Sequence, residues 1–384
     1  MKQISYFIKD TETGRQLRKE NNYDFLSHRK LGTTVLNDGY VLLSRAWHDG
    51  GRVDGGVTDA SHNYIASTGY TSTGGCGYDF DDNTASTGDR CIFIGSIHPV
   101  YGHAITDTLR KLWFLKTAEG QRMIDEGYQV VFITTMNSEL PKWQYKIFEL
   151  AGLDPSLLTH VRQTTRYNTI VVPDDSLGME DGRLQYTKEF CTTIDEIKQN
   201  AVKHIPANKH FPENLYFTRT RCNLMIREMG EPELENIFRK RGFTIVSPER
   251  HPIEEQIVML MQCKRFAATE CSCSHAAIFC NPDCEVIILR KADYVNKYSS
   301  TIADMLGNRT VFVDANKSTM ANPSLPMIGP FFLCVTPELI EYMDIGTNNS
   351  KDIIGGVFAN GSSTKRTFIH TKRPYAMPYG CMTR

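Results

Sequence analysis

The stretch FAATECSCSHAAIF, residues 266–279, places Cys271, Cys273 and His275 at every second position. These side chains would converge on a metal ion only in an extended segment, because alternate residues of a helix point in different directions. Zinc sites usually combine two nearby cysteines with a distant second pair, which is not evident in the sequence. A catalytic thiol is a second alternative, since a helix N-terminus lowers a cysteine pKa, but no separate base is evident.

The same stretch also has the composition of an anion site. A strand ending at Glu270 turns into a short helix that starts with small residues, including Ser272 and Ser274. Unpaired N–H groups at a helix start and two hydroxyls suit a diphosphate. The simpler alternative is that Ser272 only caps the helix, which implies no ligand.

A second group of polar residues lies in SIHPVYGHAITDTLRKLWFL, residues 96–115, directly after a buried strand. His103 and Asp107 are four residues apart and would share one face of a helix, with Arg110 three residues further on. A histidine beside a carboxylate is a credible general base. The alternative is that His103 caps the helix and Asp107 pairs with Arg110 on a solvated face.

Further candidates follow from the elements that must position these residues. In an open parallel sheet the ligand lies beyond the carboxyl ends of the strands, where the sequence places Arg219, Glu249 and Glu270. The guanidinium of Arg219 could hold a phosphate through two hydrogen bonds, or could form a surface ion pair.

Hydrophobic periodicity predicts short strands and long loops over residues 31–90, followed by alternating strands and helices. The predicted strands are 90–97, 128–135, 166–173, 214–219, 243–249, 265–270 and 284–290. The predicted helices are 103–118, 141–152, 186–204, 231–242, 252–263, 272–280 and 336–346. This alternation predicts an α/β fold with doubly wound parallel sheets covered by helices.

Two prolines and few apolar residues in IPANKHFPEN indicate a domain boundary near residues 205–212. We therefore expect an N-terminal α/β domain over residues 1–205 that includes the β-rich segment 31–90. A second doubly wound domain is expected over 206–320, with a C-terminal helix and tail over 321–384 that pack back on the domains. No P-loop or G-x-G-x-x-G sequence is present, so a ligand in the cleft between the domains is the default expectation.

The composition excludes several classes of protein. A formal charge of −1 over 384 residues does not favour nucleic-acid binding. The sequence shows no secretion signal and no run of about 18 apolar residues that would span a membrane. We expect a cytoplasmic protein, at most at the inner face of the membrane, whose eleven cysteines are mainly small buried hydrophobes rather than disulfides.

Several stretches together resemble a known family. NLYFTRTRC, GEPELENIFRKRGFTIVSPE, PIEEQIVMLMQCKRFAATECSCSHAAIF and VIILRKADYVN resemble, in order and spacing, the signature blocks of glycosyltransferase family 61. YGHAITDTLRKLW resembles the upstream His-containing helix of its bacterial, capsular polysaccharide branch. The resemblance covers residues 91 to about 315 and implies a GT-B fold, with two Rossmann-like domains facing a cleft.

The resemblance also implies a reaction: metal-independent, inverting transfer of a hexosyl or pentosyl group from a nucleotide sugar, UDP-linked, to a glycan or lipid-linked glycan. It implies no cofactor, no metal and no nucleic-acid partner. Combining it with the strand-end positions, the catalytic candidates are His103 and Asp107, and the acceptor or cleft candidates are Tyr101 and Arg110. The donor-binding candidates are Arg219, Glu249, Glu255, Gln256, Glu270, Ser272, Ser274 and His275.

The sequence departs from the family pattern at two positions, Cys271 where the family has Gly and Ala276 where it has Asn. A side chain at the Gly position could restrict the approach of the diphosphate to the backbone. One alternative function is therefore an inactive nucleotide- or glycan-binding protein of the same fold. Another is a thiol or metal protein that uses Cys271, Cys273 and His275.

Overall fold

The structure is a computed structural model that describes residues 3–48, 52–70, 74–222, 228–317 and 329–344. Strands and helices alternate through most of this range, as the hydrophobic periodicity predicts. The strands are, in chain order, β1 (Gln3–Phe7), β2 (Thr33–Leu42), β3 (Val53–Asp54), β4 (Gly56–Asp59), β5 (Gly75–Cys76), β6 (Ser86–Ile97), β7 (Gln129–Thr134), β8 (Leu158–His160), β9 (Thr165–Pro173), β10 (Leu177–Glu180), β11 (Arg183–Tyr186), β12 (Asn214–Phe217), β13 (Glu228–Met229), β14 (Thr244–Val246), β15 (Arg265–Thr269), β16 (Glu285–Arg290), β17 (Arg309–Asp314) and β18 (Phe331–Phe332). The α-helices are α1 (Glu12–Glu20), α2 (Tyr101–Ala104), α3 (Leu112–Leu115), α4 (Ala118–Asp125), α5 (Lys142–Leu150), α6 (Lys188–Lys203), α7 (Glu231–Lys240), α8 (Ile253–Gln262), α9 (Ser272–His275), α10 (Lys297–Leu306) and α11 (Pro337–Asp344).

The first large sheet has six strands in the order β4-β2-β9-β6-β7-β8. Strands β6 to β9 pair in parallel, whereas β2 is antiparallel to both β4 and β9. Ile92 and Ile94 of β6 lie in one apolar cluster, and the alternate residues Cys91 and Phe93 lie in another. Because successive side chains of a strand point to opposite faces, both faces of this sheet are buried. The parallel sheet predicted after residue 90 is confirmed.

The second large sheet has six strands in the order β1-β17-β16-β15-β12-β14, and all of its pairs are parallel. Its edge strand β1 comes from the start of the chain, with Gln3 opposite Arg309. The predicted boundary near residue 205 would assign β1 to the first domain, so the observed pairing differs from that expectation. A five-residue strand does not indicate its partner, because pairing at a sheet edge is decided by tertiary contacts.

The strand order creates a switch point in each sheet. From β12 the chain first adds β14 on one side and then returns to add β15 on the other. From β6 it likewise adds β7 and β8 on one side before β9 takes the other. Crevices at the carboxyl ends of such strands are the usual ligand sites of open α/β sheets. The segments after β6, β12 and β15 are therefore the places to look for chemistry.

Helix termini largely follow the sequence signals. Pro232 lies in the first turn of α7, where proline is favoured, and Gly242 has a left-handed φ of 80° just after the helix ends. The hydroxyl of Thr336 accepts a hydrogen bond from the Leu339 N–H at 3.1 Å and so caps the start of α11.

The single helix predicted over residues 103–118 is wrong. The segment is divided into α2, a 3-10 turn over Asp107–Leu109, and α3. Thr106 has φ −125° and ψ −81°, and its hydroxyl bonds the Gly102 carbonyl at 2.8 Å. The polar residues Asp107, Arg110 and Lys111 that follow are buried and bind partners outside the segment.

Residues Met1–Tyr342 form one compact unit, and Met343–Arg384 form a second unit of which only Met343 and Asp344 are described. The predicted tail beyond residue 344 therefore lies outside the described residues. Among the helices that the structure describes, none is both long and apolar enough to cross a bilayer. Every described cysteine is a free thiol.

Candidate functional site

The first half of the site is a His–Asp pair at the carboxyl end of β6. Nδ1 of His103 lies 2.5 Å from Oδ2 of Asp107, so the predicted contact between the two is present. The Tyr298 hydroxyl donates to both oxygens of Asp107, at 2.8 and 3.0 Å. With Nδ1 occupied by the carboxylate, Nε2 is the ring nitrogen left for a substrate.

Asp107 is 2% exposed, and its environment favours the charged carboxylate. Burial alone would raise its pKa. The hydrogen bond and charge of His103, the charge of Arg110 and the Tyr298 hydroxyl outweigh burial, so the pKa of Asp107 lies below its usual value. A charged, fixed carboxylate orients the imidazole and stabilises it when it gains a proton.

Aromatic rings surround His103 on the side of the N-terminal segment. The His98 ring stacks on the His103 ring with centroids 5.1 Å apart, and Tyr70 meets His103 edge-on at 5.3 Å. Trp47 contacts both Tyr70 and His98 at about 6 Å and is 44% exposed. Burial and the nearby His103 lower the pKa of His98 to about 4, so His98 is neutral near pH 7.

The second half of the site is the turn between β15 and α9. Cys271 has φ −171°, which is extended backbone that any residue adopts, so this position does not require the glycine of the family. The Ser274 hydroxyl donates to the Cys271 carbonyl at 2.8 Å and accepts from its N–H at 3.2 Å. Ser274 therefore closes the turn, whereas the hydroxyl of the half-buried Ser272 makes no hydrogen bond with any residue that the structure describes.

The two halves meet through Gly102, His275 and Tyr298. A Cβ atom on Gly102 would lie 2.8 Å from Nδ1 of His275 and 2.9 Å from both Cα and Oγ of Ser272. The Tyr298 ring stacks on His275 with centroids 4.8 Å apart and faces His103 edge-on at 6.0 Å. The candidate base and the turn after β15 are thus in one place, although about 170 residues separate them in sequence.

His275 is buried and neutral. Burial, followed by the charge of His103, lowers its pKa to about 4. Its Nε2 lies 3.5 Å from Nδ2 of Asn296, whereas Nδ1 has no hydrogen-bond partner among the described residues. Nδ1 faces Gly102, where an added Cβ would lie only 2.8 Å away, so this unpaired nitrogen is packed against α2.

Two cations flank the turn. Arg219 and Lys291 both bind Oε1 of Glu228, the lysine at 2.8 Å. Glu231 accepts the Arg219 N–H at 3.2 Å, and burial, followed by the charge of Cys271, raises the pKa of Glu231 to about 8. Two cations share one carboxylate, which leaves positive charge beside Cys271.

Cys271 responds to that positive charge. A hydrogen bond from Cys273 lowers the Cys271 pKa, burial opposes the shift, and the charges of Lys291 and Arg219 lower it further. The pKa of Cys273 is raised in turn by its bond to Cys271. The positive charge of Lys291 and Arg219 therefore favours a negative charge at Cys271. The convergence of Cys271, Cys273 and His275 on a metal is not observed among the described residues.

Other predicted site residues have structural partners. Arg110 is 1% exposed, donates to the Gly69 carbonyl at 2.6 Å and pairs with Asp175 at 3.3 Å, so it is not exposed in a cleft. The Tyr101 ring packs against Trp143 with centroids 5.9 Å apart, and the Tyr101 hydroxyl has no partner among the described residues.

The predicted Glu-Gln pair fixes a loop rather than joining the His103 group. Glu255 binds Lys209 and, at 3.3 Å, His251, and the Lys209 bond lowers its pKa. Gln256 donates to the carbonyls of Pro248 and His251 at 2.8 and 2.9 Å.

The remaining two predicted carboxylates differ in environment. Glu249 is exposed and makes no hydrogen bond or ion pair with the described residues. Glu270 is fully buried next to the turn, and burial raises its pKa to about 7 against the opposing charges of Arg290 and Lys291. Its oxygens accept no well-formed hydrogen bond from the described residues, although the Ser299 hydroxyl is close enough to lower its pKa.

Sequence reasoning missed several residues of the site. Lys291 directly follows β16, so the rule that identified Arg219 would also have identified it. Tyr298 contacts Asp107 across 191 positions, and no local pattern indicates such a contact. Trp47 and Tyr70 lie in the Gly-rich segment whose loops have no predictable course.

Comparison with known proteins agrees with this geometry. Residues 101–287 match the family model of glycosyltransferase 61. The matched range begins at α2 and ends within β16, so it includes both the His103–Asp107 pair and the turn at Cys271. No curated protein matches the chain. The match supports a transferase that acts on sugars.

Proposed function

We propose that the protein is an inverting, metal-independent glycosyltransferase that transfers a sugar from a nucleoside-diphosphate sugar to a hydroxyl of a glycan. The observation that carries the proposal is the contact between the His103–Asp107 pair and the turn at Cys271 through Gly102 and Tyr298. Both lie within the range that matches glycosyltransferase 61. In this proposal the two large sheets are the Rossmann-like halves of a GT-B arrangement.

The proposed base is His103. Nε2 takes the proton of the acceptor hydroxyl as its oxygen attacks the anomeric carbon, and the bond from that carbon to the diphosphate breaks. Asp107, which is charged and bonded to Nδ1, stabilises the imidazolium that forms. The nucleoside diphosphate leaves with the bonding electron pair, and the sugar is transferred with inversion.

The donor side lies around Arg219 and Lys291. In this proposal the diphosphate binds to these two cations, which share Glu228, and to the hydroxyl of Ser272. Preorganised positive charge that meets a leaving group as it forms is a strong catalytic contribution. Positive charge from side chains would also make a divalent cation unnecessary.

The acceptor side lies around Trp47, Tyr70 and His98. Sugar rings present apolar C–H faces that pack well on aromatic rings, and Trp47 is partly exposed beside the candidate base. This segment precedes the range that matches the family, so it would set a specificity particular to this chain. In this proposal the enzyme works in the cytoplasm, in the biosynthesis of capsular or other surface polysaccharide.

The test is a panel of nucleotide sugars, UDP-linked donors first, incubated with the protein in excess chelator, with and without oligosaccharide acceptors. Donor consumption and the anomeric configuration of product are followed by NMR. Transfer with inversion in chelator is the expected result. Binding of a nucleoside diphosphate by calorimetry, with neither hydrolysis nor transfer of any donor, would instead identify an inactive binding protein.

A further inference from the structure

Three cysteine thiols converge at the amino ends of β15 and β16 in the second sheet, opposite the edge that carries the candidate site. The Sγ atoms of Cys263, Cys280 and Cys284 all lie within 4.8 Å of one another, and those of Cys263 and Cys284 are 3.6 Å apart. All three residues are at most 3% exposed. Cys263 lies 17 positions before Cys280, so the fold brings it to the Cys280–Cys284 turn.

Two loops hold the thiols in place. Cys263 ends α8 just before β15, and the turn CNPDC, residues 280–284, leads into β16. The Cys284 N–H bonds the Asn281 carbonyl at 3.0 Å, and the Asn281 side chain bonds the Met261 carbonyl. These bonds tie the turn to the end of α8, so the three sulfurs are positioned before any ligand arrives.

The spacing fits a thiolate-bound metal. With metal–sulfur bonds of about 2.3 Å, neighbouring sulfurs are about 3.8 Å apart in a tetrahedral site and about 4.0 Å apart in a trigonal one. The observed separation of 3.6 Å and upper limit of 4.8 Å bracket these values. Cys280 and Cys284 also have three residues between them, which is within the usual spacing of paired zinc ligands.

A buried cysteine does not need other cysteines around it in order to pack well. Cys91 is equally buried and lies among the aliphatic and aromatic side chains of the first sheet, where it acts as a small hydrophobe. In the three-cysteine cluster the sulfurs instead face one another, with those of Cys263 and Cys284 3.6 Å apart. Thiolates are the form that binds metals.

We propose that Cys263, Cys280 and Cys284 form a structural site for one soft cation with a filled d shell, Zn²⁺ or Cu⁺. The three thiols release their protons to solvent as three metal–sulfur bonds form. No other His, Cys, Asp or Glu side chain of the described residues joins the set, so Zn²⁺ takes an exogenous fourth ligand and Cu⁺ is three-coordinate.

The site is independent of the proposed transfer reaction. Cys263 and Cys284 precede β15 and β16, whereas the turn at Cys271 and Lys291 follow the same two strands. Parallel strands have their amino ends at one edge of the sheet and their carboxyl ends at the other. A cation at the amino ends therefore ties α8 to the two loops and takes no part at the opposite edge.

The experiment uses the full chain, purified without chelator and analysed for metal content by mass spectrometry. The metal-free chain is then titrated anaerobically with Zn²⁺ and Cu⁺ separately, each in competition with a chromophoric chelator. About one equivalent of at least one cation is expected, with a rise in melting temperature. The cation that binds tighter identifies the occupant.

Serine variants of Cys263, Cys280 and Cys284 should each lose the bound metal, whereas Cys91→Ala, a buried cysteine elsewhere, should keep it. Co²⁺ added to the metal-free wild-type chain should give a sulfur-to-cobalt charge-transfer band, which reports thiolate ligation without any variant. Failure of the folded wild-type chain to take up either cation overturns the proposal. Equal metal uptake by the triple serine variant also overturns it.

Discussion

At the scale of single residues, the orientation of His103 by Asp107 is the feature that most directly sets activity. Asp107→Asn keeps the size of the side chain but removes the charge that stabilises the protonated imidazole. We expect transfer to fall about 10²–10⁴-fold in His103→Ala and by a comparable factor in Asp107→Asn, because this is the usual contribution of a positioned base. Initial rates at saturating donor measure the effect.

His204→Ala is the matched control, since His204 is exposed after the end of α6. It should leave the rate unchanged. Full activity in both His103→Ala and Asp107→Asn would show that another group takes the acceptor proton.

A second residue-scale prediction concerns Cys271. Its extended backbone accepts a side chain, so Cys271→Ser should keep transfer activity. Cys271→Gly should also keep activity and lose about 0.5–1 kcal/mol of stability from backbone entropy. Rates and chemical denaturation of both variants measure this, and abolition of activity in Cys271→Ser would indicate a catalytic thiol instead.

The site was partly predictable at this scale. The positions that follow strands identified His103, Asp107 and Arg219, because topology alone puts such positions at one edge of a sheet. Glu255 was implied by the family resemblance, but it pairs with Lys209 and so fixes a loop. Tyr298 was not predictable, since its contact with Asp107 depends on how α10 lies against the 3-10 turn over Asp107–Leu109.

At the scale of elements, the close approach of α2 to α9 depends on Gly102. A Cβ there would come within 3.0 Å of the Ser272 backbone and of the His275 ring, which are closer contacts than packed atoms tolerate. Gly102→Ala should therefore separate the two elements, reduce transfer and cost about 1–3 kcal/mol of stability. Urea denaturation and transfer rates are the measurements.

Gly32→Ala serves as the control because a Cβ at Gly32 meets only the Asp174 carboxylate, at an ordinary 3.6 Å. Gly32→Ala should leave both the transfer rate and the stability close to those of the wild type. If Gly102→Ala were as active and as stable as Gly32→Ala, α2 and α9 would not need to touch for function.

The elements themselves were mostly predictable because buried strands and amphipathic helices have distinct periods. Elements such as α1, α10 and β17 were not predicted, and the single helix predicted over residues 103–118 was wrong. The helix breaks at Thr106, and Asp107, Arg110 and Lys111 after the break bind partners from other parts of the chain. Periodicity reports which residues are apolar, not where buried polar residues find their partners.

At the scale of the whole molecule, two features could not be predicted from the sequence: the order of the strands in the sheets and the ionisation of buried groups. β1 closes the edge of the sheet built from the C-terminal half, so the start of the chain and residues 309–314 must meet for that sheet to be complete. Only the tertiary structure reveals such a pairing. Glu270, which follows β15 of this sheet, is fully buried and has little access to water.

Glu270 should make the stability of the protein depend on pH. Burial raises the pKa of Glu270 from 4.5 to about 7. Its contribution to the free energy of unfolding is therefore fully present below the unfolded-state pKa of 4.5 and is lost as the pH rises to about 7. Glu231, raised to about 8, acts in the same direction. His275 acts in the opposite direction, because its depressed pKa of about 4 makes stability fall as the pH drops below its ordinary value of 6.5.

Glu270→Gln keeps the shape of the side chain but cannot ionise, so it should remove the part of the decline in stability that Glu270 causes between about pH 4.5 and 7. The shift of about two to three pKa units corresponds to a difference on the order of 3 kcal/mol. Urea denaturation of both proteins at several pH values measures it, with the exposed Glu119→Gln as the control. Parallel stability curves for the wild type and Glu270→Gln would mean that Glu270 is already ionised in the folded protein at pH 5, held so by Arg290 and Lys291.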